Sequence, residues 1–226
     1  MSHVLTFCGL CHGVPRDYTS YPLLKSYLKR INDGHEKKKA EALGIEHVRY
    51  FVENLDNSCQ NLLYKVLALA ALFTADRSVE LSAIRFKDVS INHEDSTVKI
   101  VSHRQKVNRG AQTHMLVSTE TINVATLFEL YIISVRKTLK DFDGEARFFR
   151  QVDARTKSFK NQVVGSRYLS KVSVEIARFN GLEKPERYTG HGFRALSVTS
   201  VHENGGTETM FALFFYFFDH SNIFLG

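Results

Sequence analysis

Cysteine is scarce in this sequence: only Cys8, Cys11 and Cys59 occur among its 226 residues. An odd and small number cannot build a disulfide framework and is typical of a reducing compartment. Cys8 to His12 match the CxxCH pattern of covalent haem attachment, but no export signal accompanies it. A zinc site that added His3 and His12 to these cysteines would lack a supporting second ligand pair. We therefore predict no cofactor and no bound metal.

Long hydrophobic runs are also absent. The most apolar stretch, Phe211 to Phe218, is far shorter than the 18 or more residues that span a bilayer. The first residues, Met-Ser-His-Val, lack the basic start and apolar segment of a secretory signal. Internal repeats and low-complexity segments are missing as well. These absences predict an intracellular protein without a membrane segment.

Acidic residues are outnumbered by basic ones. Thirty Lys and Arg stand against 24 Asp and Glu, which gives a net charge of +6 and a pI near 9.2. This modest excess favours a polyanionic partner, and nucleic acid is the first class to consider. The rest of the composition, 43% hydrophobic and 24% charged, is ordinary for a globular protein. One large domain with a fragment of another fits this length.

A histidine and an arginine stand three residues apart in Tyr188–Arg194 (YTGHGFR). Residues at this spacing share one helix face, so His191 and Arg194 could grip one anion. Thr189 is a candidate N-cap, and the two glycines permit close backbone approach. The pair would then lie at the positive end of a helix dipole, which suits a phosphate. The alternative is a helix-capping histidine beside a solvated arginine.

A second arginine follows the most continuously apolar helix candidate, Cys59–Ala75. Arg77 would be costly to bury there without an acidic partner or an anionic ligand. Glu80 stands three residues further on and could pair with it. A structural salt bridge and an anion-binding arginine are therefore the two interpretations of Arg77.

The remaining pattern predicts a mainly helical α+β protein with a small three-stranded antiparallel sheet. The predicted helices, besides Cys59–Ala75, are 21–30, 45–55, a short one with Leu81, Ile84 and Phe86, 121–139 and 163–179, the last capped by Gly181. The predicted strands are 88–91, 97–101 and 114–117. The second strand connection carries His103, Arg104, Lys106 and Arg109. It is either a basic hairpin that lies over a nucleic-acid backbone or a solvated loop.

A composition shift near residue 40 marks a candidate domain boundary. The run His35–Lys39 (HEKKK) is strongly charged and follows the turn signal Asn32-Asp33-Gly34. We assign residues 1–40 to the end of a helical domain and its linker, and residues 41–210 to the main domain. Residues 211–226 form a separate Phe-rich tail.

The order of these features resembles the catalytic domain of tyrosine recombinases, the phage-integrase-like enzymes that break and rejoin DNA. The segments GHEKKKAEAL, ADRSVELSAIRFKDV and SRYLSKVSVEIARFNGLEKPERYTGHGFR are most similar to the Crypton-type eukaryotic branch. The resemblance covers roughly residues 20–210. It implies the tyrosine recombinase catalytic fold, preceded by the tail of a helical core-binding domain.

In that family two arginines and a histidine clamp the scissile phosphate, and a hairpin lysine protonates the leaving oxygen. A tyrosine attacks and forms a phosphotyrosine link. Guanidinium groups suit the charge that gathers on the phosphate oxygens. The resemblance assigns the clamp to Arg77, His191 and Arg194, an orienting role to Glu80, and the hairpin role to Lys106, with the register of Lys106 left open. Predicted DNA-backbone contacts are Lys37, Lys38, Arg104 and Arg109.

The resemblance stops near Met210. Asn204–Thr207 fits the family's glycine turn, but the family spacing puts its last His or Trp position near Phe217 and its tyrosine at about Gly226. Tyr216 is the only nearby tyrosine, and its surroundings do not match the family; His220 is an equally poor match for the histidine. The tail is either a helix packed in a groove or sequence from an altered reading frame or a retained intron.

We therefore expect a DNA-binding, tyrosine-recombinase-like protein from a mobile element, impaired in strand cleavage by the missing tyrosine. The alternative is a domesticated, non-catalytic DNA-binding or protein-interaction module. Either function implies double-stranded DNA as the expected partner and the nucleus as the expected compartment. The family also implies a possible homo-oligomer on DNA.

Overall fold

The computed structural model describes residues 26–27, 30, 41–103, 110–139 and 143–203, with side chains described up to Ser197. The chain divides into two compact units, Met1–Lys39 and Ala40–Gly226. In the first unit Ser26, Tyr27 and Arg30 are helical and exposed, within the predicted helix 21–30. The rest of the predicted core-binding remnant and the whole of the predicted tail lie outside the described residues and stay predictions.

The second unit combines helices with two small sheets, as the predicted mainly helical α+β class requires. Its helices are α1 (Ile45–Asn54), α2 (Cys59–Thr74), α3 (Ser78–Ala83), α4 (Val124–Thr138), α5 (Tyr168–Phe179) and α6 (His191–Glu203). Its strands are β1 (Val89–Asn92), β2 (Thr97–His103), β3 (Ala111–Val117), β4 (Arg150–Val152) and β5 (Phe159–Val163). Of the helices in the described ranges, none has the length and apolar character needed to cross a bilayer.

Helix α2 is the centre of the fold, as its continuous hydrophobicity predicts. Twelve of its sixteen residues are buried, and α4, α6, α5, β3 and β4 all pack on it. Even Lys65 is only 3% exposed. Its Nζ donates to the Leu55 carbonyl and, at 2.9 Å, to Asn57 Oδ1. Burial lowers the pKa of Lys65, so these two acceptors replace the water that the ammonium group loses.

The predicted three-stranded antiparallel sheet is confirmed, in the order β1-β2-β3. The register pairs Val98 with Leu116 and Lys99 with Met115. Because successive side chains point to opposite faces, Val98 and Leu116 are fully buried while Lys99 and Met115 are exposed. One face of the sheet therefore completes the core, and the other faces solvent.

Helix α4 is present, but its predicted core face is partly wrong. The apolar residues of the sequence predict a core face made of Ile122, Ala125, Leu127, Leu130, Ile133 and Val135. Of these, Leu130 and Ile133 are 37% and 42% exposed. Phe128 and Tyr131 are fully buried instead. The buried stripe follows 124, 127, 128, 131 and 135, the spacing of a single helix face, whereas 130 and 133 lie on the opposite side.

A second sheet, the β4-β5 hairpin, was not predicted. The helix expected from Val163 begins only at Tyr168, because Val163 pairs with Arg150 at the end of the hairpin. The position of Phe148 and Phe149 between basic stretches predicts a loop. Both residues precede β4, and both are buried against Tyr131. The aromatic cluster needs both segments in extended form, and short strands of this kind carry little periodicity.

The predicted end of α5 at Gly181 is confirmed. Gly181 has φ +67°, a left-handed conformation that favours glycine, and the Leu182 N–H donates to the Ala177 carbonyl at 2.9 Å. Pro185 then begins a short 3₁₀ helix, Pro185–Arg187, that leads toward α6. The predicted short helix with Leu81, Ile84 and Phe86 corresponds to α3. It ends before Ile84, so Phe86 lies in a separate 3₁₀ turn.

The Tyr131 hydroxyl links α4 to the second hairpin. It donates to the Phe148 carbonyl at 3.0 Å and accepts the Arg150 N–H at 2.8 Å. Burial raises the pKa of Tyr131 well above its ordinary value, so the group stays a neutral hydroxyl.

We predict that Tyr131→Phe lowers the free energy of unfolding by about 1–3 kcal/mol, because a buried donor and acceptor lose their partner. Urea unfolding measures this loss.

The matched control is Tyr50→Phe, since Tyr50 is 52% exposed. This substitution should change the free energy of unfolding by less than about 0.5 kcal/mol. Equal effects of the two substitutions would show that the hydroxyl of Tyr131 does not hold the hairpin.

Candidate phosphate-binding site

Arg77 lies where the central helix ends. Helix α2 stops at Ala75, which has φ 50° and reverses the chain direction. Arg77 is the N-cap residue of α3 in an extended conformation, and Glu80 is the third residue of that helix. The abrupt stop carries the arginine from the core to the surface, where its side chain is 43% exposed.

The Glu80 carboxylate contacts both the backbone and the guanidinium group of Arg77. Its Oε2 accepts the Arg77 backbone N–H at 2.8 Å, and its Oε1 lies 3.3 Å from Arg77 Nη1. The Glu80 side chain is only 4% exposed. The pairing that the three-residue spacing allows is therefore present. It leaves much of the guanidinium facing solvent, so the ion pair and an anion-binding role for Arg77 are compatible.

Helix α6 begins at His191, so the predicted helix start is confirmed. His191 is exposed and Arg194 half-buried, while Phe193 between them is 1% exposed and belongs to the core. The contact described for Thr189 uses its backbone: the carbonyl accepts the Gly192 N–H at 2.9 Å. The buried Phe193 thus fixes the face of α6 that is turned inward and leaves His191 on the outside.

A buried hydrogen bond joins the last turn of α2 to the middle of α6. The Ser197 hydroxyl contacts the Leu72 carbonyl and also the Phe193 carbonyl, the latter at 2.9 Å. Arg77 follows this contact by five residues along the chain, and Arg194 precedes it by three. Arg194 therefore lies on a helix that packs on α2, and Arg77 lies three residues beyond the end of α2. That they reach one phosphate stays a prediction.

The close approach expected at the glycines is present at Gly190. A Cβ added there would lie 3.2–3.4 Å from the Leu169 side chain of α5, tighter than most real contacts. Within residues 41–103, 110–139 and 143–197, no side chain forms a hydrogen bond or ion pair with His191 or Arg194. Their donors are therefore not used by that part of the protein.

The remaining predicted site residues lie outside the described residues. These are Lys37, Lys38, Arg104, Lys106, Arg109 and Tyr216. The strands that flank the basic connection are described: His103 pairs with Ala111 in the antiparallel register. His103 Nε2 also lies 3.6 Å from the buried Asp88 carboxylate. The basic segment is thus the connection of a hairpin, while the roles of its side chains stay predictions.

Sequence reasoning missed Ser197, which joins α6 to α2. Ser197 carries no signal of its own, because a serine inside a helix is ordinarily a surface residue. The β4-β5 hairpin presents Arg155 and Lys157 to solvent, and neither was singled out. Among the described residues, no group of three or more His, Cys, Asp or Glu could hold a metal ion.

Comparison with known proteins bears on the fold. No protein-family model matches the chain, and no curated protein matches it either. Among solved structures, the XerH site-specific recombinase bound to difH substrate in a pre-cleavage complex matches with a TM-score of 0.55 and 19% identity. The match covers 75% of this chain and 45% of XerH.

A post-cleavage complex of XerH with a palindromic difH substrate matches with a TM-score of 0.53 and 17% identity. It covers 82% of this chain and 52% of XerH. This chain has the tyrosine recombinase catalytic fold. It spans about half the length of XerH, and identities this low establish the tyrosine recombinase fold without establishing an activity.

The Arg77–Glu80 contact can be tested without any ligand. We predict that Glu80→Ala lowers the free energy of unfolding by about 1–2 kcal/mol, because the Arg77 amide loses its acceptor at the start of α3. Glu80→Gln should cost less, since an amide oxygen still accepts that bond. Thermal or urea unfolding checks the ranking.

The exposed Glu183 provides the control, and Glu183→Ala should change the free energy of unfolding by less than about 0.5 kcal/mol. A Glu80→Ala variant as stable as the Glu183→Ala variant would contradict a structural role for the Glu80 carboxylate.

Proposed function

We propose that this protein binds duplex DNA and that Arg77, His191 and Arg194 together hold one backbone phosphate. The observation that carries the proposal is the packing of α2 on α6 through Ser197 and Leu72. It supports convergence because His191 and Arg194 lie on α6, and Arg77 follows the end of α2 by three residues.

The residue types suit a phosphodiester. Two guanidinium groups can each donate two parallel hydrogen bonds to phosphate oxygens, which an ammonium group cannot do. Arg77 is oriented in advance by the Glu80 carboxylate, so less conformational freedom is lost when a ligand binds. His191 opens α6, where backbone N–H groups and the helix dipole favour an anion.

The net charge of +6 and the fold support a DNA partner. XerH, whose fold this chain shares, was solved in complexes with difH substrate. We infer from the shared fold that the present chain also binds DNA. Further phosphate contacts are predicted from two basic pairs, Lys37 with Lys38 and Arg104 with Arg109. Such contacts would strengthen binding without distinguishing one DNA sequence from another.

We further propose that the chain binds without cutting. By family spacing the last His or Trp position falls near Phe217 and the tyrosine at about Gly226, and the expected residue type is at neither position. Lys106 would then have no leaving oxygen to protonate. Tyr216 is the alternative nucleophile, and the non-catalytic module is the function that remains if Tyr216 is inert.

Origin and assembly extend the same proposal. The resemblance to Crypton-type sequences supports descent from a eukaryotic mobile element and residence in the nucleus. Assembly on DNA as a homo-oligomer follows from the family resemblance alone. Sedimentation of the protein with a duplex that offers two binding sites would measure the stoichiometry.

Salt-dependent binding tests the phosphate site. We predict that Arg77→Ala and Arg194→Ala each weaken duplex binding roughly 10-fold or more, because a charge-assisted contact is lost. Fluorescence anisotropy over a salt series measures the affinity. Arg136→Ala is the control, since Arg136 is exposed in the last turn of α4; it removes the same charge away from the site. Equal losses of DNA affinity in all three variants would contradict the placement of the phosphate site at Arg77 and Arg194.

A nicked suicide duplex tests the absence of cleavage. We expect no covalent protein–DNA adduct on denaturing gels, because a phosphotyrosine link needs a positioned tyrosine. An adduct that forms with the unaltered protein and disappears in Tyr216→Phe would assign the nucleophile to Tyr216 and overturn this part of the proposal.

A further inference from the structure

The chain entering the second unit contacts the segment that leads into α6. The Glu41 backbone N–H donates to the Arg187 carbonyl at 3.2 Å, and Glu41 pairs with Tyr188 as an isolated parallel bridge. The side chains reinforce this contact, since Glu41 Oε1 lies 3.1 Å from Arg187 Nη1. Two segments far apart in sequence are thus joined by backbone and side chain, three residues before His191.

The same entering segment continues along the first turn of α6. A Cβ added at Gly192 would lie 3.9 Å from the Leu43 nitrogen and 4.0 Å from the Glu41 carbonyl oxygen. Leu43 is 3% exposed and anchors the segment in the core. The backbone of residues 41–43 therefore runs beside the turn that presents His191.

The residue that precedes this turn, Gly190, rests on α5. Leu169 packs against Gly190, and the Gly190 N–H lies 3.4 Å from the Ser170 hydroxyl. The start of α6 is consequently held between α5 and residues 41–43. These contacts add to the burial of Phe193 in fixing where the first turn of α6, and with it His191 and Arg194, lies.

We propose that Glu41 and Arg187 form a clip that holds the first turn of α6, and that both act as positioning residues for His191 and Arg194. This inference rests on the proposed phosphate site. A binding constellation must be held within about 0.5 Å of its productive geometry, so small displacements of the turn matter. The clip supplies a contact in addition to those that α5 makes.

Hydrogen exchange of the free protein tests the clip without DNA. Glu41→Lys places two cations together, and we expect exchange at residues 192–197 to rise about 10-fold through local opening, with α4 unchanged. The charge-swapped variant Glu41→Lys/Arg187→Glu restores an ion pair and should return exchange to within about 2-fold of the unaltered protein. Unchanged exchange in the single variant, a rise spread equally over all helices, or a swap that fails to restore protection would each overturn the clip.

DNA binding gives a second readout that simple charge effects would not mimic. Glu41→Lys adds two positive charges, which by themselves strengthen binding to DNA. The clip predicts weaker binding instead, by roughly 3-fold or more, with recovery in the swapped variant. The matched control is Glu183→Lys, because Glu183 is an exposed glutamate in the connection between α5 and α6 that also contains Arg187. This variant should bind as well as the unaltered protein or better. Tighter binding by Glu41→Lys would count against positioning.

The two arms separate the two proposals. If the unaltered protein binds no duplex, the proposed function fails, while hydrogen exchange still decides whether the clip holds α6. If the protein binds DNA and the exchange arm fails, the phosphate site stands without the clip.

Discussion

Burial of α2 is the constraint on which the rest of the second unit depends. A helix that is apolar on all sides must be covered on all sides, and the neighbouring helices and both sheets provide that cover. The helix must also end where the core ends. It does so at Ala75, whose φ of 50° costs a non-glycine residue about 1 kcal/mol. The turn puts Asp76 inside and Arg77 at the surface.

The candidate site follows from how α6 covers the end of α2. Phe193 faces the core and Ser197 bonds to Leu72, so the inward face of α6 is fixed by two residues that bind no ligand. His191 and Arg194 are presented as a consequence of this packing. Glu80 completes the arrangement by holding Arg77 through its buried carboxylate. Core packing and site geometry are therefore set by the same contacts.

Local sequence patterns predicted the helices and strands that are long enough to show a repeating hydrophobic pattern. The helices α1, α2 and α4, the three-stranded sheet and the Gly181 cap were found this way. The β4-β5 hairpin was not predicted from the sequence. Its buried Arg150 is hydrogen-bonded to Asn161, so a strand that belongs to the core has a polar sequence. Single residues at expected spacings identified Arg77, Glu80, His191 and Arg194. The contact of Glu41 with Arg187 has no local signal, since it joins distant segments.

Binding of one phosphate by both Arg77 and Arg194 is tested most directly by a salt series on four proteins. The slope of log Kobs against log salt counts neutralised phosphates. The four proteins are the unaltered protein, Arg77→Ala, Arg194→Ala and the double variant. We predict that the double variant reduces the magnitude of the slope by about one relative to the unaltered protein. We also predict that the losses in binding free energy of the two single variants do not add up to that of the double variant. A drop of about two with additive losses would assign the arginines to separate phosphates and contradict the shared site.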